Sequence, residues 1–289
     1  MWPYSRGIGM AIEDRFYRIV VEALAQDRLT LPTLPEVALR LRELLQDDDV
    51  TVARLAAEIH RDPAIAVRLI RVANSAAMRS GRSVENVQQA VTRLGLQYTR
   101  LLVDGLALEQ MFVARNPVLK QRLLRSWQQS VDVAALAQVL AAQCTLLQPE
   151  MAMLGGLVHR VGALPIVKLA ETHAAALESE AQLDTVIEHL APRVGRMVLQ
   201  AWHFPADLVE VPMLWPDFTR EHEGGADYAD VVTVAVLRTL GASDPSLKGV
   251  DLLHVPAFIK LDLDPTFSLA DTGPLATNYQ RSLELLRAA

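Results

Sequence analysis

Apolar residues recur three and four positions apart along almost the whole chain, and that spacing constrains the fold more than any other feature. Val37, Leu41, Leu44 and Leu45 set one stripe, Leu55, Ala56 and Ile59 a second, and Ile65, Leu69, Val72 and Ala73 a third. A period of about 3.6 residues places each set on one face of a helix, whereas a half-buried strand needs strict alternation. Start and stop signals fall between the stripes. Asp49 and Thr51 open the second helix, and Asp62 with Pro63 opens the third, a capping carboxylate followed by a proline at the first helical position. Asn74 and Ser75 close it, and a short helix through Val87, Val91 and Leu94 stops at Gly95.

The pattern continues to the C-terminus. A helix is predicted over 96–112, a long one from Asn116-Pro117 to about Leu147, then an apolar helix ending in His159-Arg160-Val161-Gly162 and a further helix through Ala170. Shorter helices follow around 183–190 and 192–202, and one starts at Pro205. Residues 212–227 read as irregular, 227–240 as a helix, 244–277 as loops and short helices, and 278–287 as a final helix. No hairpin signal or internal repeat interrupts this, so the expected class is all-α.

Composition narrows the function classes. Of 289 residues 51% are hydrophobic, enough for a sizeable core, and 21% are charged, which argues against long disorder. The net charge of −6 disfavours general binding to nucleic-acid backbones, and no aromatic-basic stripe offsets it. The single cysteine, Cys144, admits no intrachain disulfide and suits a reducing cytoplasm. The first residues lack a basic start followed by an apolar run, and no uninterrupted stretch reaches the roughly 20 apolar residues of a membrane span. A cytoplasmic protein without membrane association is therefore expected.

Two blocks together resemble the HDOD family, output-domain relatives of the HD phosphohydrolases. The first begins at Leu31-Pro32-Thr33-Leu34-Pro35, where both prolines hold their predecessors extended, and runs through Asp62-Pro63 and Asn74-Ser75 to Leu94-Gly95. Leu34, Pro35, Asp62, Pro63, Asn74, Ser75 and Gly95 are all capping, turning or packing types and need no chemistry. The second block runs from Ser126-Trp127 through His159 to the 200–205 segment, Gln-Ala-Trp-His-Phe-Pro. The resemblance implies an HDOD domain over about 28–212, split near 116 into an N-terminal helical part and an HD-like part. A helical lead-in at 1–27 and a C-terminal extension at 213–289 flank it.

Active HD relatives hold divalent metal through an early histidine, an adjacent His-Asp pair and later ligands. Carried over by position, the early histidine falls at Gln129 and the pair at His159-Arg160. A lysine that often follows falls at Ala163, and a later histidine near Ala191. Met213, Leu214, Trp215 and Pro216 stand where further histidines would lie. A catalytic divalent site ordinarily takes at least three protein ligands, and arginine is not one of them. The resemblance thus implies a signalling protein that has no metal, no cofactor and no catalysis, working through contacts with other signalling proteins, with a homodimer also open; the alternatives are a sensor of a nucleotide or other small anion in the old HD cavity and a residual metal-dependent phosphohydrolase. Two uses of Arg160 stay open at this stage: an ion pair with a nearby acid, or a hold on a phosphate or carboxylate ligand. For His159 the readings are a core histidine or a ligand contact. The remaining histidines, including His222, show no metal-ligand spacing, and the 213–289 segment can pack on the core, cover the cavity mouth or mediate dimerisation.

Overall fold

The computed structural model describes residues 15–288 apart from 46, 48, 76, 77, 79–81, 178, 271 and 272; the first part of the expected lead-in, 1–14, lies outside them. The regular elements among the described residues are all helical, with no strand among them. In order the helices are α1 (Arg15–Ala25), α2 (Glu36–Leu44), α3 (Val52–Ile59), α4 (Pro63–Ala73), α5 (Val87–Leu94), α6 (Leu96–Glu109) and α7 (Pro117–Cys144). Then come α8 (Pro149–Val158), α9 (Ala163–Thr172), α10 (Glu180–Ala201), the short α11 (Ala206–Val209) and α12 (Val211–Leu214), α13 (Tyr228–Leu240), α14 (Pro256–Lys260) and α15 (Pro274–Ala288).

The local signals act as capping chemistry requires. Thr51 accepts the Arg54 N–H at 3.3 Å, Asp62 the N–H groups of Ala64 and Ile65 at 3.0 and 3.1 Å, and Asn116 those of Val118 and Leu119 at 2.9 and 3.2 Å. Gly95, at φ +80° and ψ 160°, ends α5 and begins α6, a conformation that side chains strongly resist. Three boundaries differ from the periodicity reading. The segments at 183–190 and 192–202 are one helix, α10, with Pro192 inside it. The missing N–H costs a hydrogen bond, but Leu183, Val186, Val194 and Val198 on the same face are all fully buried, and that packing carries the helix through. α6 stops at Glu109, before the buried Phe112. The last helix starts at Pro274, since proline is as good a first residue as it is a breaker.

Two apolar cores share the molecule. α2 to α5 enclose the smaller, and α6 belongs to both: Leu102, Val103, Leu106 and Ala107 enter the smaller core, Leu101 and Leu108 the larger. The larger core is built on α7 and α8, which cross so closely that a Cβ on Gly156 would lie 2.5 Å from the Ala134 Cα. α13 packs on both, and α15 runs along α7, where the Ser282 hydroxyl donates to Gln138 at 2.6 Å. The larger core thus extends well past residue 213. The segment Pro149–Thr172 has the length and apolarity of a membrane span, and 83% of its most apolar window is buried in this core. Leu34 also enters the larger core rather than packing on the adjacent α2, and the Pro32 carbonyl accepts the Trp202 indole N–H at 2.7 Å. The two blocks of family motif are in this way joined across 170 positions of chain.

Candidate functional site

The site is the turn His159–Gly162 between α8 and α9, held against α10. A Cβ on Gly162 would lie 2.0 Å from the Ala191 carbonyl oxygen and 2.4 Å from the Gly195 nitrogen, so a residue without a side chain is required for this approach. His159 is only 2% exposed. Its Nδ1 lies 2.7 Å from the Gly156 carbonyl oxygen, which can only accept, so Nδ1 carries the proton and Nε2 is bare. That Nε2 is buried with no partner, and the ring packs edge-on to Trp215 at 5.2 Å between centroids. Burial, with the Arg160 charge beside it, pushes the imidazole down to about 3, so His159 is neutral at ordinary pH.

Arg160 turns the other way. One guanidinium nitrogen donates to Gln129 Oε1 at 3.3 Å and the other to Asp244 Oδ2 at 2.8 Å, while Cζ stands 5.6 Å from the centre of the Trp215 ring. The Trp215 indole N–H closes the group by donating to the His159 carbonyl at 3.2 Å. Burial works to raise the Asp244 carboxyl, but the hydrogen bonds from Arg160 and Ser246 outweigh it and hold Asp244 below the usual range. Glu188 of α10 moves the opposite way, raised by desolvation and by the neighbouring Asp244 and Asp184. Of the two sequence readings of Arg160, the structure shows the ion pair.

The structure therefore brings Gln129, His159 and Arg160 together, with Ala191 against the turn and Ala163 buried at the start of α9. Asp244, Trp215 and Glu188 complete the group; Trp215 lies in the 213–216 stretch that the motif marks, whereas Asp244 and Glu188 were not legible, since they come from distant segments without a motif of their own. The set does not fit a divalent ion. Its central side chain is a cation, the nearest carboxylate is bound to that cation, and two of the carried-over positions are alanine.

The family-motif residues of the N-terminal half lie elsewhere and do structural work. The Asn74 side chain pairs with both backbone groups of Val84, at 2.7 Å each, which closes the loop after α4. The second oxygen of Asp62 accepts from Gln110 at 3.2 Å. The Ser75 hydroxyl is buried without a partner.

A second polar cluster gathers His222, Asp227 and Asp230, whose ligand atoms lie within 4.8 Å of one another. Sequence reading missed it; the signal was the pair of aspartates three apart at a helix start. Asp227 and Asp230 form a reciprocal cap on α13, and Arg220 pairs with both. His222 Nε2 lies 2.8 Å from Asp230, and Lys260 Nζ bonds the His222 and Gly224 carbonyls at 2.8 and 3.0 Å. Arg220 already pairs with both carboxylates, so the cluster is an ion-pair clamp at the start of α13, and Lys260 ties it to α14 through the His222 and Gly224 carbonyls.

An all-helical, HD-related domain defines the class. The chain belongs to the HDOD domain family, whose model matches residues 31–213. It is similar to a "Putative metal-dependent phosphohydrolase" from Shewanella amazonensis SB2B, with 29% identity, a TM-score of 0.81 and coverage of 93% of this chain and 97% of that one. An HDOD domain protein of unknown function from Geobacter sulfurreducens shares the fold at 20% identity and a TM-score of 0.59, over 90% of this chain and 88% of that one. So does a "Putative signal transduction protein" from Marinobacter aquaeolei VT8, at 21% identity and a TM-score of 0.61, over 91% of this chain and 58% of that one. An uncharacterized protein of Treponema pallidum (strain Nichols) is 22% identical over 69% of this chain, which spans only 45% of that curated relative's length.

Proposed function

We propose that this chain is a non-enzymatic regulatory module of bacterial signal transduction that acts in the cytoplasm through contacts with other signalling proteins. One observation carries the non-enzymatic half: the Arg160 guanidinium, at the position that the family resemblance assigns to a metal ligand, is bonded to Gln129 and Asp244. A guanidinium is never deprotonated in a protein, so it neither ligates a metal nor tolerates one nearby. The same bonds oppose anion capture by Arg160, because the side chain already has its acceptors. The regulatory half is supported by family membership and by the name of the Marinobacter neighbour.

The phosphohydrolase name of the Shewanella neighbour sets the test. The purified chain and its Arg160→Asp variant are assayed with manganese against an activated phosphodiester. Neither is expected to turn over, since the variant restores one position of several. Metal-dependent turnover in either would overturn the reading. For the regulatory half, affinity capture of the tagged chain from its native cells should retain a reproducible signalling protein; recovery of the chain alone, monomer or dimer, counts against it.

A further inference from the structure

A cleft of about 760 Å3 opens at the seam between the two cores, away from the Arg160 group. One wall is the first two turns of α6, the other the start of α8, and Phe204 with Pro205 forms the floor. Its volume lies within the roughly 300–1,000 Å3 typical of small-molecule sites. The walls are divided by chemistry: Leu96, Met151, Leu154 and Phe204 supply apolar surface, and Arg100 supplies a cation.

Arg100 is the informative residue. Its side chain is 30% exposed, its Nε is buried without a hydrogen-bond partner, and its closest carboxylate oxygen, on Asp104, is 3.9 Å away. That separation is beyond hydrogen-bond length, so the guanidinium keeps donors to spare. In this it is the opposite of Arg160, whose nitrogens are bonded on both sides. Glu150 lies in the facing wall and penalises a high negative charge.

From this we infer that the cleft is a binding site for a small organic anion with a single charged head and an apolar body, carboxylate or sulfonate in type rather than polyphosphate. The head meets Arg100, and the body lies along Met151, Leu154 and Phe204. Phe204 packs 6.0 Å from Trp202, which holds the Pro32 carbonyl, so an occupant on Phe204 lies one ring away from the contact that joins the two halves of the family motif. The inference does not depend on whether the chain is catalytic.

Two fluorescent probes test it: anilinonaphthalene sulfonate, which has the charged head, and phenylnaphthylamine, which lacks it. The full chain should bind the sulfonate saturably at one site. Arg100→Gln should weaken the sulfonate about tenfold, the effect of losing a charged hydrogen bond, and leave phenylnaphthylamine unchanged. Gln97→Trp, which fills the mouth from an exposed position, should weaken both by about tenfold or more with no change in melting temperature. Non-saturable binding, or parental affinity in the Gln97→Trp variant, would overturn the site. Equal sulfonate affinity in the Arg100→Gln variant would overturn the anionic head, and its melting curve checks that Asp104 has not been left to unfold the helix.

Discussion

The two halves of the HDOD domain treat their family positions differently. In the N-terminal bundle, Asp62, Asn74 and Gly95 retain the residue types of the pattern, and each one sets backbone geometry: a helix cap, a closed loop, a reversal between helices. In the HD-like half, Gln129, Arg160, Ala163 and Ala191 depart from the pattern of the active relatives. There the backbone survives, with the turn still pressed on α10 at Gly162, while the side chains have been rewired into Arg160, Asp244 and Trp215. The residues that set helix geometry and the side chains grouped around Arg160 are thus separable in one chain. The Trp202 to Pro32 bond ties the opening of the motif to the far end of the core.

The sharpest way to break that comparison is to attack backbone geometry in the half whose chemistry has changed. Gly156→Ala puts a methyl 2.5 Å from the Ala134 Cα, which only separation of α7 and α8 can relieve. A loss of about 3 kcal/mol in urea unfolding is expected, the upper range for overpacking. A loss below about 1 kcal/mol would mean the crossing is not as close as described.

Protonation of His159 comes next. Its folded value, about 3, lies below the 6.5 of the free side chain, so the unfolded chain takes up the proton first. The stability this histidine confers is intact above about 6.5 and is lost progressively as the pH falls toward about 3. Between pH 6.5 and 5 the expected loss is about 1.6 kcal/mol, and His159→Met should flatten it. An unaltered acid limb in that variant would show that the imidazole is not the group responsible.

Legibility in the sequence follows the same division. Thr51, Asp62, Asn116 and Gly95 were readable because a cap acts within a few residues of itself. Apolar spacing likewise gave the helical class and most element positions. Pro192 misled because proline reports a local cost and not the packing that offsets it. Around Arg160 the motif located Gln129 and His159 but not Asp244, which lies 84 positions away in a segment with no pattern of its own. The His222 clamp was missed for a related reason: Lys260, its third element, comes 38 positions later.

Two smaller substitutions sharpen the contrast, one in each half. Asp62→Ala removes a side chain that accepts from Ala64 and Ile65, and should cost about 1 kcal/mol, the usual value of an N-cap. Arg160→Met removes an ion pair whose side chains are 22% and 14% exposed, which sounds more damaging. It should cost less, about 0.5 kcal/mol, for two reasons. Asp244 keeps its hydrogen bonds from the Ser246 N–H and hydroxyl at 3.0 and 2.7 Å, so its charge is not stranded. Methionine retains the contact with the Trp215 face that the arginine stem and guanidinium provide, and thioether packing on an aromatic ring is itself favourable. Thermal or urea melts of the pair decide the matter. If Arg160→Met proves the more costly, the rewired group has become a structural keystone in its own right, and the distinction between the two halves narrows to which residues carry the geometry.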